Sequence, residues 1–316
     1  MDYKKLGTTD LTISPIIFGG NIFGWTLDEK ESFAILDAMF DMGIQTLDTA
    51  DVYSRWAPGN KGGESETIIG KWMKDRNLRN ELIICTKVGM DMGQGKIDLS
   101  EAHIRKSVED SLRRLQTDHI DLYYSHKDDE TTPPEETLGT YQELIQEGKV
   151  RYIGASNFSV ERLQSSKKVS EANNLPNYQV VQPEYNLLAR ETFEGALQDY
   201  CLEHQLGVAS YFSLASGLLS GKYRNEKDLE NSSRTDYVKK HWNADTKKLL
   251  MVLEDIANHQ QSTAAAVALA WIMQQKGISA PIASATKDSH LQAFKEAIQL
   301  QLTEEEIGKL NKMSTR

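Results

Sequence analysis

Short apolar runs and longer amphipathic segments alternate through most of the chain, the rhythm expected where strand–helix units surround a parallel sheet. The runs predict strands at residues 15–18, 46–48, 82–86, 120–124, 150–154, 180–182, 208–211 and 281–283. The segments between them carry helix signals. Asp28 followed by Glu31 gives a cap and a third-position acid ahead of the Phe33, Leu36 and Phe40 face. Ser100 precedes Ile104, Val108, Leu112 and Leu115 at helical spacing. Pro133-Pro134-Glu135-Glu136 suits a first helical turn, where proline has no N–H to forfeit. Thr303 with Glu306 predicts a further capped helix, outside the eight repeats.

Eight such units can close on themselves and leave no sheet edge exposed, so an α/β (β/α)8 TIM barrel is predicted over an open doubly wound sheet. No break in composition and no Ser/Gly-rich linker divides residues 1–316, which are expected to form one barrel domain. Gly7-Thr8-Thr9-Asp10, lying between polar–apolar alternations, predicts an N-terminal hairpin across the barrel floor. Residues 224–242, rich in Asn, Ser, Asp and Lys, are predicted to form a long mobile loop of the kind that serves as a lid.

Composition narrows the function. Hydrophobic residues make up 39% of the chain and charged residues 26%, ordinary values for a globular protein with a real core. A net charge of −10 argues against a nucleic-acid partner, since phosphate binding needs a concentrated Lys/Arg surface. Cys85 and Cys201 make neither a disulfide framework nor a metal cage, and no metal is expected. No apolar run is long enough to span a bilayer, and no apolar stretch follows the opening Met1-Asp2-Tyr3-Lys4-Lys5. The expectation is a cytoplasmic enzyme with no membrane partner, its oligomeric state open.

Polar residues and a few aromatics gather at the ends of the predicted strands. Asp48 and Tyr53 follow the second, Lys87 the third, Ser125 and His126 the fourth, and Ser156 and Asn157 the fifth. Gln182 and Tyr211 stand at the sixth and seventh. In a barrel these points converge on one face, where active sites are built. Each has an ordinary reading alone: Tyr53 a loop aromatic, Lys87 a solvated charge, His126 a structural histidine, Asp48 a turn cap. Together they suit proton-coupled hydride transfer to a carbonyl. A phenol of pKa about 10 is a poor acid at neutral pH, and the Lys87 ammonium is expected to draw that of Tyr53 down. Asp48 would hold Lys87 and balance its charge, while His126 would direct the substrate oxygen. The hydride itself must come from a cofactor.

Six segments, in order, resemble the aldo-keto reductase superfamily over nearly the whole chain, with an insertion at 55–63 like that of a bacterial subgroup. They are 48–53 (Asp-Thr-Ala-Asp-Val-Tyr), 86–89 (Thr-Lys-Val-Gly), 121–126 (Asp-Leu-Tyr-Tyr-Ser-His), 147–159, 181–186 (Val-Gln-Pro-Glu-Tyr-Asn) and 217–223 (Gly-Leu-Leu-Ser-Gly-Lys-Tyr). The resemblance implies reduction of aldehydes or ketones to alcohols by a tetrad of Asp48, Tyr53, Lys87 and His126, with Tyr53 as proton donor. The alternative it leaves open is a cofactor-binding, redox-sensing or regulatory subunit with little turnover. It further implies a nicotinamide cofactor held without a Rossmann domain, and no Gly-x-Gly-x-x-Gly is present.

On the same footing, Gly20, Asn21 and Asp48 are expected beside the cofactor and Ser156, Asn157 and Gln182 on its carboxamide. Tyr211 would stack on the nicotinamide, with Ser213, Leu214, Lys222 and Arg234 along the pyrophosphate. At the adenosine end stand Ser284, Thr286, Lys287 and His290, where the Glu and Asn usual in the family are absent. Lys287 and His290 favour NADP(H), with NAD(H) the alternative and a plain surface role the competing reading. Phe23, Trp25, Trp56 and Trp242 are expected either to wall an apolar pocket for a small carbonyl or alcohol substrate or to serve as packing.

Overall fold

The computed structural model describes residues 1–223, 225–229 and 235–314. Two short strands, β1 (Lys4–Lys5) and β2 (Thr12–Ile13), pair antiparallel as a hairpin. Eight parallel strands then close a barrel: β3 (Ile17–Gly19), β4 (Thr46–Asp48), β5 (Ile83–Val88), β6 (Ile120–Ser125), β7 (Val150–Ser156), β8 (Val180–Gln182), β9 (Gly207–Ser210) and β10 (Ala280–Ala283). Each strand pairs with the next in sequence, and β10 pairs with β3 to complete the ring.

The helices α1 (Glu29–Asp41), α2 (Glu64–Arg76), α3 (Glu101–Leu115), α4 (Pro134–Gln146), α5 (Val160–Asn173) and α6 (Ala196–Glu203) follow successive barrel strands. After β9 come α7 (Thr235–His241), α8 (Ala244–His259) and α9 (Ala264–Met273); after β10 come α10 (Asp288–Gln299) and α11 (Glu304–Ser314). Asp28 and Glu31 make the expected reciprocal capping box on α1. Thr303 and Glu306 make the corresponding exchange ahead of α11. Nearly every residue of α9 is buried, as an Ala-rich helix apolar on all sides must be.

Strand alternation sorts the apolar side chains into two cores. Inside the ring lie Ile17, Cys85, Leu122, Tyr124, Val180, Ala209 and Ala280, with Leu6, Leu11 and Ile13 of the hairpin beneath them. A larger core fills the space between strands and helices. The hairpin thus closes the floor as expected. Gly7 is its seat: φ is +59°, and a Cβ there would lie 2.3 Å from the backbone nitrogen of Gly207.

Two expectations are corrected. β5 runs on through Val88 and β7 through Ser156, so Lys87 and Ser156 belong to strands rather than to the loops behind them. Pairing of Lys87 with Tyr124 and of Ser156 with Gln182 carries the ladders onward regardless of side-chain polarity. Within 224–242, the described residues are not a loop without structure. They include a 3-10 turn at Glu226–Leu229 and α7, where Val238 is buried and Tyr237 donates to Glu184 at 3.0 Å. That aromatic–aliphatic pair anchors an otherwise polar run. Residues 224 and 230–234 lie outside the described part.

Two glycine replacements should have opposite signs. Gly7→Ala forces the hairpin off a backbone atom that cannot step aside, and should lower unfolding free energy by about 1–3 kcal/mol. Gly139→Ala, in α4 with nothing near its Cβ, should raise it by up to about 1 kcal/mol. Urea unfolding measures both, and a neutral Gly7→Ala would mean that the hairpin does not seat as described.

Candidate active site

The C-terminal ends of the strands meet at one mouth, and a buried ammonium organises it. Asp48 ends β4 in register with Cys85 of β5, which brings Lys87 alongside it. Lys87 is fully buried and its Nζ donates three hydrogen bonds: to Asp48 Oδ1 at 2.6 Å, to the Thr49 carbonyl at 2.7 Å and to the Tyr53 hydroxyl at 3.1 Å. An ammonium has three hydrogens, so its donors are spent. Asp48 Oδ2 accepts from Gln182 Nε2 at 2.9 Å. Breaking a buried ion pair of this kind typically costs about 3–5 kcal/mol, because the surviving charge is left without compensation.

Burial works against the Lys87 charge, but Asp48 and the Tyr53 hydroxyl outweigh it and hold the ammonium above its ordinary range. Tyr53 runs counter to expectation. Burial pushes its phenol up, and the Lys87 charge recovers only part of that rise. The phenol therefore keeps its proton, with the Lys87 ammonium 3.1 Å from its oxygen. Burial first, then the Lys87 charge, hold the His126 imidazole well below its usual value. Its Nδ1 is buried with no partner among the described residues, and a hydrogen on Nε2 would spare the ring a buried, unpaired N–H. The His126 and Tyr53 rings stand 6.0 Å apart.

A cleft of about 1510 Å³ runs past this cluster and is lined by Asp48, Tyr53 and His126, while Lys87 lies beneath Tyr53. Asn21, Ser156, Asn157, Gln182, Tyr211, Ser213, Leu214, Lys222, Ser284, Thr286, Lys287 and His290 also line it. Trp25 and Trp56 line one end, edge to face at 5.6 Å, with Trp56 also 5.6 Å from the Tyr53 ring. Lys222, Lys287 and His290 line another part.

Three predicted residues are not brought to the cleft. Phe23 is fully buried against Phe18 at 5.8 Å, because the turn after β3 points it into the core and leaves Trp25 outside. Trp242 packs at the junction of α7 and α8, with the Lys247 ammonium 5.1 Å from its ring. Gly20 sits behind the wall, its N–H donating to the Asp48 carbonyl at 2.7 Å. Arg234 lies outside the described residues.

Asn157 is already well used. Its Nδ2 donates to the His126 carbonyl at 2.9 Å and to Ser156 Oγ at 3.0 Å, and its Oδ1 accepts from the Tyr211 hydroxyl at 2.7 Å. What remains for a carboxamide is acceptor capacity on Oδ1. The sequence reading missed Ile22, Phe212, Ser216, Gly217 and Tyr237, which also line the cleft. Ser216 and Gly217 both have positive φ, which only the run of small residues 215–217 hinted at.

Residues 15–315 match the model of the aldo/keto reductase family. The chain belongs to this family. It is 35% identical to the uncharacterized oxidoreductase YrpG of Bacillus subtilis, over 98% of this chain and 95% of that protein. It is 33% identical to the aldo-keto reductase YhdN of the same organism, over 98% and 93%. A probable voltage-gated potassium channel subunit beta of Oryza sativa is 32% identical over 98% and 95%. As an aldo/keto reductase the chain has an oxidoreductase fold. No helix among its described residues is long and apolar enough to cross a membrane.

The electrostatics of His126 can be checked in this aldo/keto reductase directly. Its imidazole should remain neutral through the interval around pH 6.5 in which an unperturbed histidine takes up its proton. Nitrogen NMR of the ring reads this, and a His126 titration inside that interval would contradict the buried, cation-flanked setting.

Proposed function

We propose that this chain reduces aldehydes or ketones to alcohols with NADP(H), Tyr53 giving the proton. The observation that carries the reading is the Tyr53 hydroxyl 3.1 Å from an ammonium that is itself 2.6 Å from Asp48, in a cleft lined by His126. Aldo-keto reductases generally use nicotinamide cofactors, and such a cofactor when bound supplies the hydride. The remaining work belongs to the chain. His126 would donate from Nε2 to the carbonyl oxygen and hold it towards Tyr53. The Tyr53 hydroxyl would pass its proton to that oxygen as negative charge develops there. Lys87 would stabilise the resulting phenolate, and Asp48 keeps Lys87 in place. Positioned proton transfer of this kind contributes on the order of 10²–10⁴-fold in rate.

The donor set suits a dinucleotide carrying an extra phosphate. Burial holds the His290 ring below its usual value, and the charges of Lys287 and Lys222 add to that, so the three groups share one neighbourhood. Thr286, Lys287, Ser289 and His290 line the cleft at the N-terminus of α10, which favours anions. These features favour NADP(H), with NAD(H) the alternative. Trp25 and Trp56 would flank the apolar part of a small carbonyl substrate, and a cytoplasmic setting fits this chemistry.

The similarity to a channel subunit beta supports a second reading, in which cofactor binding serves sensing or regulation and turnover is slow. The complete tetrad favours the enzyme.

The proposal expects NADPH consumption with a panel of aldehydes. Tyr53→Phe should lower kcat by about 10²–10⁴-fold while leaving NADPH binding intact. Tight NADPH binding by the unmodified protein with no turnover on any carbonyl would favour the sensor instead.

Cofactor choice has its own test. Lys287→Ala with His290→Ala should weaken NADPH binding about tenfold to a hundredfold, the value of a charged hydrogen bond or two, and leave NADH binding unchanged. Equal losses for both dinucleotides would remove the 2′-phosphate contact from the reading.

A further inference from the structure

Behind the tetrad lies a second polar system that the mechanism above does not use. Asp51, between Asp48 and Tyr53, is 2% exposed, and no side chain among the described residues hydrogen-bonds its carboxyl oxygens, which have only the adjacent Val52 amide beside them. Its backbone N–H reaches the Lys87 carbonyl at 3.3 Å, so the residue is fixed against the strand that carries the ammonium. Glu66 of α2 is fully buried nearby. It accepts from Thr86 Oγ1 at 2.6 Å and from Arg114 of α3 at 2.7 Å. Tyr123 of β6 also buries a hydroxyl with no partner among the described residues, and Tyr141 of α4 stands beside it, ring centroids 6.0 Å apart.

The charges here do not balance. Two buried carboxyls, Asp51 and Glu66, share one guanidinium, and Arg114 is committed to Glu66. Lys87, the other cation within reach, has spent all its donors on the site. An ionised Asp51 would be a buried charge without a partner, which low-dielectric surroundings penalise heavily. A proton on Asp51 removes that penalty.

We propose that Asp51 is a positioning residue for Tyr53: a carboxyl kept neutral in the wall behind the site, whose loss of its proton sets a negative charge beside Tyr53 and Lys87 and makes the tyrosine proton harder to release. The inference rests on the reading of Tyr53 as proton donor. Burial, then the Glu66 charge, push the Asp51 carboxyl up to about 8, against the pull of Arg114, the Val52 amide and Lys87. An acid placed there is neutral at ordinary pH and ionises just above it. Carbonyl reduction should accordingly lose rate on an alkaline limb that belongs to neither Tyr53 nor Lys87, both of which are held above their ordinary values.

The test pairs spectroscopy with kinetics on the full chain. In protein labelled with 13C at the aspartate carboxyls, one buried resonance should titrate near pH 8 and be missing from Asp51→Asn. Asp51→Asn should reduce carbonyls like wild type at low pH and lose the alkaline limb. Glu66→Gln should move both the resonance and the limb to lower pH, because one negative charge is gone and Arg114 is freed. Because the folded chain holds a proton that the unfolded chain releases, wild-type stability should fall as pH rises towards 8, and the thermal advantage of Asp51→Asn should grow over the same span.

An Asp51 resonance already ionised at about pH 6 overturns the proposal, as does an alkaline limb that survives Asp51→Asn. Should Glu66→Gln fail to fold, the wild-type titration and Asp51→Asn still decide. A resonance titrating near 8 in a protein without turnover would overturn the role given to Tyr53 and leave the buried acid in place.

Discussion

Lys87 carries its charge where water does not reach, and three acceptors make that tolerable: the Asp48 carboxylate, the Thr49 carbonyl and the Tyr53 hydroxyl. Each acceptor constrains something larger. Asp48 ends β4 in register with Cys85 of β5, which brings the Lys87 ammonium within reach of its carboxylate. Thr49 and Tyr53 tie down both ends of the turn leaving β4. Gln182, which holds the other Asp48 oxygen, arrives from β8, 134 positions along the chain and across the ring. One ion pair thus joins three strands, and the phenol is oriented by the same bond that satisfies the ammonium.

The alternation of β5 gives this arrangement a second side. Lys87 points into the barrel mouth, while its neighbour Thr86 points out and donates to Glu66, which pairs with Arg114. A single strand therefore touches two buried polar systems, one per face. The segment 48–53 lies between them. Asp48 and Tyr53 face the cleft, whereas Asp51 sits back towards Glu66 and Arg114, with no side chain among the described residues bonded to its oxygens. Changes of charge in the wall are felt in the cleft because the groups between are buried and screen them weakly.

Much of this was legible in the sequence. Each strand–helix unit announces itself by a switch of apolar period, and reciprocal caps at Asp28 and Thr303 need only four residues to recognise. The tetrad was readable because strand ends converge wherever a parallel barrel closes. Other features depend on what packs opposite, which one segment cannot disclose. Phe23 and Trp25 lie two apart on one turn, and only the Phe18 ring decides that the first goes inward. Trp242 looked like a pocket aromatic and proved to be helix packing. Tyr53 was expected to have a depressed pKa from its cation alone, but the depth of burial, set by the whole mouth, outweighs that cation. Asp51 was visible only as a letter in a motif, since its isolation depends on Glu66 and Arg114 coming from two different helices.

The cleft has an electrostatic order that follows from where cations are spent. At the chemical end the Lys87 charge is neutralised by Asp48, His126 is held neutral, and Tyr53 keeps its proton, so that end presents hydrogen-bond donors without net charge. Lys222, Lys287 and the first turn of α10 place positive potential in the part that holds His290. In the proposed reading a ligand with phosphates would be drawn to that part, leaving its nicotinamide ring beside the tyrosine. If Lys87 were not paired, its charge would compete for the same phosphates and the gradient would weaken. The pairing with Asp48 therefore does more than keep an ammonium soluble in the core: it leaves the chemical end without net charge, as the proposed reduction of a neutral carbonyl requires.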